Sequence, residues 1–270
     1  MIKLIAIGDI MGKAGRRCLT KLLPFAIEQH QADIVIANGE NAAGGFGITK
    51  KIFDQLTGSL NIDCITTGNH WHDKREIYKF LPHQDNLIVP ANMMNVSDIQ
   101  DGFTILKTKT CGTPYAVVNL IGKVFMHQDN RNPFYAADEV FKRIPDSVRI
   151  RVVDMHAEAT SEKQGLGRYL SGKASLVYGT HSHVPTADER ILDNHTGYIT
   201  DLGMTGAYDS VIGIRTEAAL ERMTSGNKKN FKPATDDPWM CFITASLCSK
   251  TGRCVELKRH RWELDTMDLS

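Results

Sequence analysis

Ala174-Ser175-Leu176-Val177-Tyr178, followed by Gly179-Thr180-His181-Ser182-His183, is the stretch that sets the architecture of this chain. A short apolar run closing on glycine reads as a buried strand that delivers a polar loop. In an extended segment, side chains two apart point the same way, so His181 and His183 are expected to face one centre. Two imidazoles at a strand end are a natural pair of metal ligands. Histidines so spaced also occur without any metal, so the pair needs further ligands from elsewhere in the chain.

The same pattern recurs outward from this point. Ile2–Ile7 is a β-branched apolar run closing on Gly8-Asp9, and Asp33–Ala37 ends at Asn38-Gly39-Glu40-Asn41. Asp63–Thr67 ends at Gly68-Asn69-His70. Between them, Ala14–His30 has helical spacing, with Pro24 as an expected kink, and Thr49 is placed to cap a helix over Lys50–Leu60. Successive strand–loop–helix units predict a largely parallel sheet covered by helices, with ligands beyond the strands' C-terminal ends. Farther on, Phe103–Lys109 and Tyr115–Ile121 read as an antiparallel hairpin, Pro133–Ile144 and Ser161–Ser171 as helices, and Val148–Asp154 as a strand leading to Met155-His156. Arg190–Leu192 and Gly197–Thr200 flank a turn, and Trp239–Leu247 and Val255–Leu264 close the chain as strands. Met204–Pro238, with its basic pair Lys228-Lys229, is the least regular part: a lid, an oligomer contact or a mobile loop. No repeat or linker divides the 270 residues, so residues 1–270 are expected to form a single domain.

Composition narrows the function classes. A formal net charge of +1 argues against a general nucleic-acid or membrane-surface binder, which needs a clustered basic excess. The six cysteines show no CxxC pairing and sit mostly in apolar segments, as free thiols in a reducing compartment do. The start of the chain lacks a long apolar leader, and no apolar stretch approaches the roughly 18 residues of a membrane span. A cytoplasmic protein is expected.

Five strand ends therefore present oxygen or nitrogen donors: Asp9, Glu40 with Asn41, Asn69 with His70, His156, and His181 with His183. Each taken singly has an ordinary reading as a turn cap, a left-handed residue or a core histidine. Gathered at one sheet edge they are different, because buried carboxylates and imidazoles are costly to hold together without a cation. Mixed carboxylate, carboxamide and imidazole donors suit iron, manganese or zinc, and the lack of cysteine argues against a structural zinc site. So many donors exceed one ion and fit two that share a bridging carboxylate. Two ions about 3.5–4 Å apart clamp phosphoryl oxygens and generate a hydroxide at neutral pH.

In this order, Gly8-Asp9, Gly39-Glu40-Asn41, Gly68-Asn69-His70, His156 and Gly179-Thr180-His181-Ser182-His183 resemble the motif blocks of the calcineurin-like metallophosphoesterases. Met11 stands where that family's first block has histidine, and Glu40-Asn41 where its second has aspartate. These departures, with Gly8-Asp9-Ile10-Met11-Gly12-Lys13 and Asp201-Leu202-Gly203-Met204-Thr205-Gly206, resemble the YmdB-like branch, bacterial phosphodiesterases acting on cyclic nucleotides. The resemblance implies a four-layer α-β-β-α sandwich, an α/β fold of two mixed sheets with flanking helices. It implies two transition-metal ions per chain, iron first, with manganese or zinc as alternatives. Asp9, Glu40, Asn41 and His183 would hold the first ion, Asn41 compensating for Met11. Glu40 would bridge to the second, completed by Asn69, His156 and His181. His70 would be no ligand but the proton donor to the leaving oxygen, opposite a hydroxide bridging the ions. The implied substrates are small phosphodiesters, 2′,3′-cyclic nucleotides of the cAMP and cGMP type, and the expected assembly is a homo-oligomer.

Other residues carry less. Gly44-Gly45-Phe46-Gly47 lacks the spacing of a phosphate-binding fingerprint and reads as an active-site loop. His72 and Asp73 read as helix-start residues or as support for the site, and Asn92 as a turn residue. His127 and His195 are expected at the surface, while Glu158 and Arg168 are open to substrate contact without any sequence feature that assigns it to them. Two rival functions stand beside the main one: a phosphomonoesterase or phosphoprotein phosphatase, and a metal-bearing regulatory protein that binds RNA or a partner.

Overall fold

The computed structural model describes residues 1–94, 99–126, 129–226 and 232–266. Lys228-Lys229 and His127 lie outside them. The chain opens with β1 (Ile2–Ile7), β2 (Asp9–Ile10), α1 (Gly12–His30), β3 (Ile34–Asn38) and α2 (Lys50–Asp54). Then follow β4 (Cys64–Thr66), α3 (Ile77–Phe80), β5 (Leu87–Ile88), β6 (Phe103–Lys107), β7 (Pro114–Ile121), α4 (Pro133–Arg143) and β8 (Ile150–His156). The rest comprises α5 (Thr160–Tyr169), β9 (Leu176–Thr180), β10 (Arg190–Leu192), β11 (Thr196–Ile199), β12 (Met204–Ala207), α6 (Thr216–Ser225), β13 (Pro238–Leu247) and β14 (Cys254–Glu263).

The strands form two sheets. One runs β2-β12-β13-β1-β3-β4-β5, with β14 added against β13, and the other runs β10-β11-β9-β8-β7-β6. β1, β3, β4 and β5 are parallel, as are β7, β8, β9 and β11, whereas β13 lies antiparallel to β1. Alternation along β1 explains the layering. Leu4 and Ala6 face the second sheet and pack with Val117, Val152, Leu176 and Tyr178. Ile5 and Ile7 face outward onto Leu19, Leu22 and Leu23 of α1. The second sheet's outer face, with Val118, Val153 and Val177, packs on Ala136 and Val140 of α4 and on Leu166 of α5. The result is the expected α-β-β-α order, each fully buried leucine or isoleucine contributing roughly 1.5–3 kcal/mol before entropy.

Local sequence features account for the elements and their ends. Thr49 accepts from the Ile52 amide and caps α2, whose last turn widens into a π turn over Gln55–Ser59. α1 runs continuously past Pro24 and ends where Gln31 turns left-handed. The described part of Met204–Pro238 holds more regular structure than its composition suggests: β12, paired in parallel with β2, and then α6. No helix among the described residues is long and apolar enough to cross a membrane. All six cysteines are free, four of them buried.

Candidate metal centre

Parallel pairing brings the C-terminal ends of β1, β3, β4, β8 and β9 to one edge, and the polar residues beyond them converge. Asp9 and His156 are fully buried, Glu40, Asn41 and His183 nearly so, and Asn69, His70 and His181 partly. All eight residues singled out in the sequence thus lie at this edge. Gly68 makes the approach possible: a Cβ there would sit 2.2 Å from His156 Nε2 and 2.4 Å from Glu40 Oε2.

The hydrogen-bond directions decide which atoms face the centre. Thr180 Oγ1 donates to Asp154 Oδ1 at 2.7 Å, so it accepts from His156 Nδ1 at 2.9 Å. In the neutral ring this leaves a lone pair on His156 Nε2. Around that atom stand Asn69 Oδ1 at 2.9 Å, His181 Nδ1 at 3.0 Å and Glu40 Oε1 at 3.1 Å. His181 Nε2 is turned toward Glu158 Oε2 at 3.1 Å, and Glu40 Oε2 accepts from the His70 amide.

Beside this group is a second one. His183 Nδ1 donates to the Ile212 carbonyl at 2.9 Å, leaving the lone pair on Nε2. Asn41 Nδ2 donates to the Gly45 carbonyl, so its Oδ1 faces that lone pair at 3.2 Å. Asp9 Oδ2 accepts from the His181 amide, while Asp9 Oδ1 is buried without a hydrogen-bond partner. Acceptors facing acceptors in a dry interior are stable only around positive charge. This donor set therefore fits divalent transition-metal ions.

The electrostatics express the same demand. Burial alone would push His156 down, but the charge and hydrogen bond of Glu40, with Asp9 and Asp154 behind, lift it to about 9. Burial pushes His181 down, helped by repulsion from His156, to about 3. Glu40 resists its burial and falls to about 2 because His156 bonds it and His70 and His181 lie near. Burial raises Asp9, against the pull of His183 and His156.

The geometry differs from the simple extended-strand picture of the histidine pair. β9 ends at Thr180, and His181 and His183 have φ values of 95° and 64°, so a tight left-handed turn places them, not strand alternation. They consequently face different groups. Holding that turn is the buried ion pair of Lys163 and Asp201, 2.6 Å apart. Asp201 also accepts from the Ser182 and Gly203 amides. Lys163 was not among the residues singled out, although it lies on the apolar side of α5, three positions before Leu166. Asp154 went unremarked as well. It is fully buried and accepts from Thr66, Thr180 and Asn38.

Flanking residues sort as supports. Asp73 Oδ2 lies 2.8 Å from His70 Nδ1 and leaves Nε2 for the cavity. Asn92 is a fully buried tie, bonded to Ile121 and to the Arg131 carbonyl. His195 turns toward the Ala174 carbonyl in the β10–β11 turn. Met11 is buried at the cavity wall and is no partner of the polar groups.

Comparison with known proteins agrees with this geometry. The family model for YmdB-like proteins matches residues 5–260. A Bacillus subtilis protein described as a 2′,3′-cyclic-nucleotide 2′-phosphodiesterase is 38% identical over 258 residues, 96% of each chain. A Mycoplasma pneumoniae crystal structure described as a novel phosphatase superposes with a TM-score of 0.90 at 29% identity, covering 97% of this chain and 93% of that one. A calcineurin-like phosphoesterase of Bacillus subtilis shares the fold at a TM-score of 0.53 and 11% identity, covering 98% and 91%. Glu40, His156 and His181 each offer a donor atom within 4.8 Å of the others, close enough to hold one ion.

Proposed function

The chain belongs to the YmdB-like family, and from that premise we propose that it is a two-metal phosphodiesterase acting on small diesters, 2′,3′-cyclic nucleotides above all. The observation that carries this reading is the convergence of Glu40 Oε1, Asn69 Oδ1 and His181 Nδ1 on the lone pair of His156 Nε2. In this reading Asn69, His156 and His181 would hold one ion and Asp9, Asn41 and His183 the other, with the Glu40 carboxylate available to both. The donors suit iron first, with manganese and zinc as alternatives. Bound there, two divalent ions neutralise charge on the phosphoryl oxygens and lower the pKa of the attacking water.

The chain's own residues do the rest. Thr180 and the Ile212 carbonyl fix the rings of His156 and His183 with their lone pairs inward. His70 does not belong to either group and lines the cavity, its ring oriented by Asp73. With Nδ1–H donated to the Asp73 carboxylate, only the imidazolium form carries a proton on Nε2 as well, and in that form His70 would deliver it to the departing ribose oxygen as the bond from phosphorus to that oxygen breaks. A metal ligand has no such proton to give from its coordinated nitrogen, which separates His70 from the other histidines.

The test pairs elemental analysis with turnover of 2′,3′-cyclic AMP against 3′-AMP, the matching monoester. Two ions per chain and a clear diester preference are expected. Preference for the monoester would establish the phosphatase alternative instead.

A further inference from the structure

The cavity holding the polar cluster, about 310 Å³, has a second wall of a different kind. Beside Glu40, Asn41, His70, His181 and His183, its lining includes the apolar residues Met11, Phe46, Ile212 and Ile214. Two separate loops bring these apolar residues together over Met11. A Cβ at Gly45 would lie 3.2 Å from Met11 Cε, and one at Gly213 only 2.5 Å from Met11 Cγ. Both loops therefore rest on one buried side chain, and at Gly213 a larger residue would have to displace it.

The turn that carries Ile212 is chemically unusual. Val211 and Ile214 exchange backbone hydrogen bonds of 2.9 and 3.0 Å, enclosing Ile212 at φ 48° and Gly213 at φ 88°. Two successive left-handed residues make the turn that favours asparagine, aspartate or glycine at its first position. A β-branched residue there is an outlier. The Ile212 carbonyl accepts from His183, but asparagine would supply the same carbonyl with less strain. What isoleucine alone adds is its side chain, which is 47% exposed at the cavity and so gains little from burial in the free protein. A strained and exposed apolar residue at a site wall indicates a contact made with a ligand.

We propose that Met11, Phe46, Ile212 and Ile214 form a nucleobase subsite, with Phe46 as the stacking ring and Ile212 as the apolar contact that sets substrate choice. This rests on the phosphodiesterase reading of the polar wall. The occupant follows from continuity: a small diester anchored by its phosphate at the polar wall has one large, flat, apolar part to place in the same cavity. Phe46 sits where that part must emerge, its ring centroid 5.0 Å from that of His70, the group beside the departing nucleoside oxygen. Stacking on an aromatic ring tolerates any base, so the subsite selects nucleotides over base-free diesters more than one base over another.

The experiment compares kcat/KM for 2′,3′-cyclic AMP and for glycerol 1,2-cyclic phosphate, which keeps the strained diester ring and lacks the base. Phe46→Ala should lower the ratio of nucleotide to glycerol compound about tenfold, mainly through KM, and Phe46→Tyr should restore it. Ile212→Asn should lower it about fivefold without lowering the melting temperature, since asparagine suits the turn. An unchanged ratio in both variants, or a parallel fall for both substrates, overturns the subsite. If the wild-type protein loaded with metal hydrolyses neither compound, the phosphodiesterase reading fails separately. Calorimetric binding of 2′,3′-cyclic AMP then decides the subsite: binding weakened by Phe46→Ala supports it, and binding that is absent or indifferent to both variants removes it.

Discussion

The two walls of the cavity are built on opposite principles. The polar wall stands on strand ends: β1, β3, β4, β8 and β9 fix its backbone, and partners such as Thr180 for His156 fix its rings. The apolar wall stands on loops whose shape depends on positive-φ residues at Gly45, Ile212 and Gly213. A parallel sheet can hold reacting groups to within fractions of an ångström, which metal chemistry requires. Loops hold less tightly and vary more freely, which suits the choice of substrate. Damage to the first wall should therefore appear in kcat and metal content, and damage to the second in KM.

The largest effect expected is that of Glu40→Gln, which removes the carboxylate that the proposal puts between the two ions. Diesterase turnover should fall by about 10⁴-fold or more, and elemental analysis should show that the ions are lost with it. Retention of both ions would mean that Glu40 does not lie between them. His70→Ala comes next, with a fall of about 10²–10³-fold, the range for a single general acid. Here both ions should remain, because His70 Nδ1 is committed to Asp73 and its ring stands outside both groups. Full turnover in the metal-loaded variant would assign the proton to another group.

The pH dependence separates protein from metal. In the metal-free chain His156 is lifted from 6.5 to about 9 by Glu40 and its neighbours, in spite of its burial. Its contribution to stability is thus complete below pH 6.5 and is lost as the pH rises through 9. Ligation needs the neutral ring, so each bound ion at this group displaces that proton. Metal affinity should therefore rise about tenfold per pH unit between pH 6.5 and 9, then level off. Thermal shifts with and without metal across that range check the sign: the stabilisation due to metal should grow as the metal-free protein weakens. A shift independent of pH would show that the metal does not compete with the His156 proton.

Much of the polar wall was legible because its residues have chemistry that the ordinary interior does not tolerate. Carboxylates and imidazoles after apolar runs stand out, and parallel strands bring their ends together without help from side chains. The strands were legible for a related reason, since short apolar runs such as Leu4–Ile7 closing on glycine are the pattern of a strand buried on both faces. What escaped was of two kinds. Asp154 and Lys163 lie inside elements, where a charged residue reads as a surface position until the fold supplies its partner. Ile212 and Ile214 look like any core residues, and only the left-handed turn with Gly213 reveals that they line the cavity, whereas Met11 stood out by its place in the first motif block. The histidine pair shows the same limit. His181 and His183 were visible as donors and the resemblance put them on separate ions, but the tight turn that separates them rests on positive φ values that residue identity does not encode.

Two smaller effects sharpen the contrast between fixed and adjustable parts within the polar wall itself. His156 is held from behind by Thr180 and Asp154, all fully buried, whereas His181 is held by Glu158, whose side chain is 50% exposed. Thr180→Val keeps the shape and deletes the acceptor, leaving His156 Nδ1 without its oriented partner in a dry site. Metal affinity should drop about tenfold, as for other outer partners of ligating histidines. Glu158→Gln keeps a hydrogen-bond acceptor and loses only a charge that water already screens, so calorimetry should show a loss of about two- to threefold. A Glu158→Gln effect as large as that of Thr180→Val would mean that the carboxylate works by its charge, and that the cavity mouth is drier at work than its exposure implies. Equality in the other direction, with Thr180→Val nearly silent, would mean that Glu40 and Asn69 alone hold the His156 ring in place.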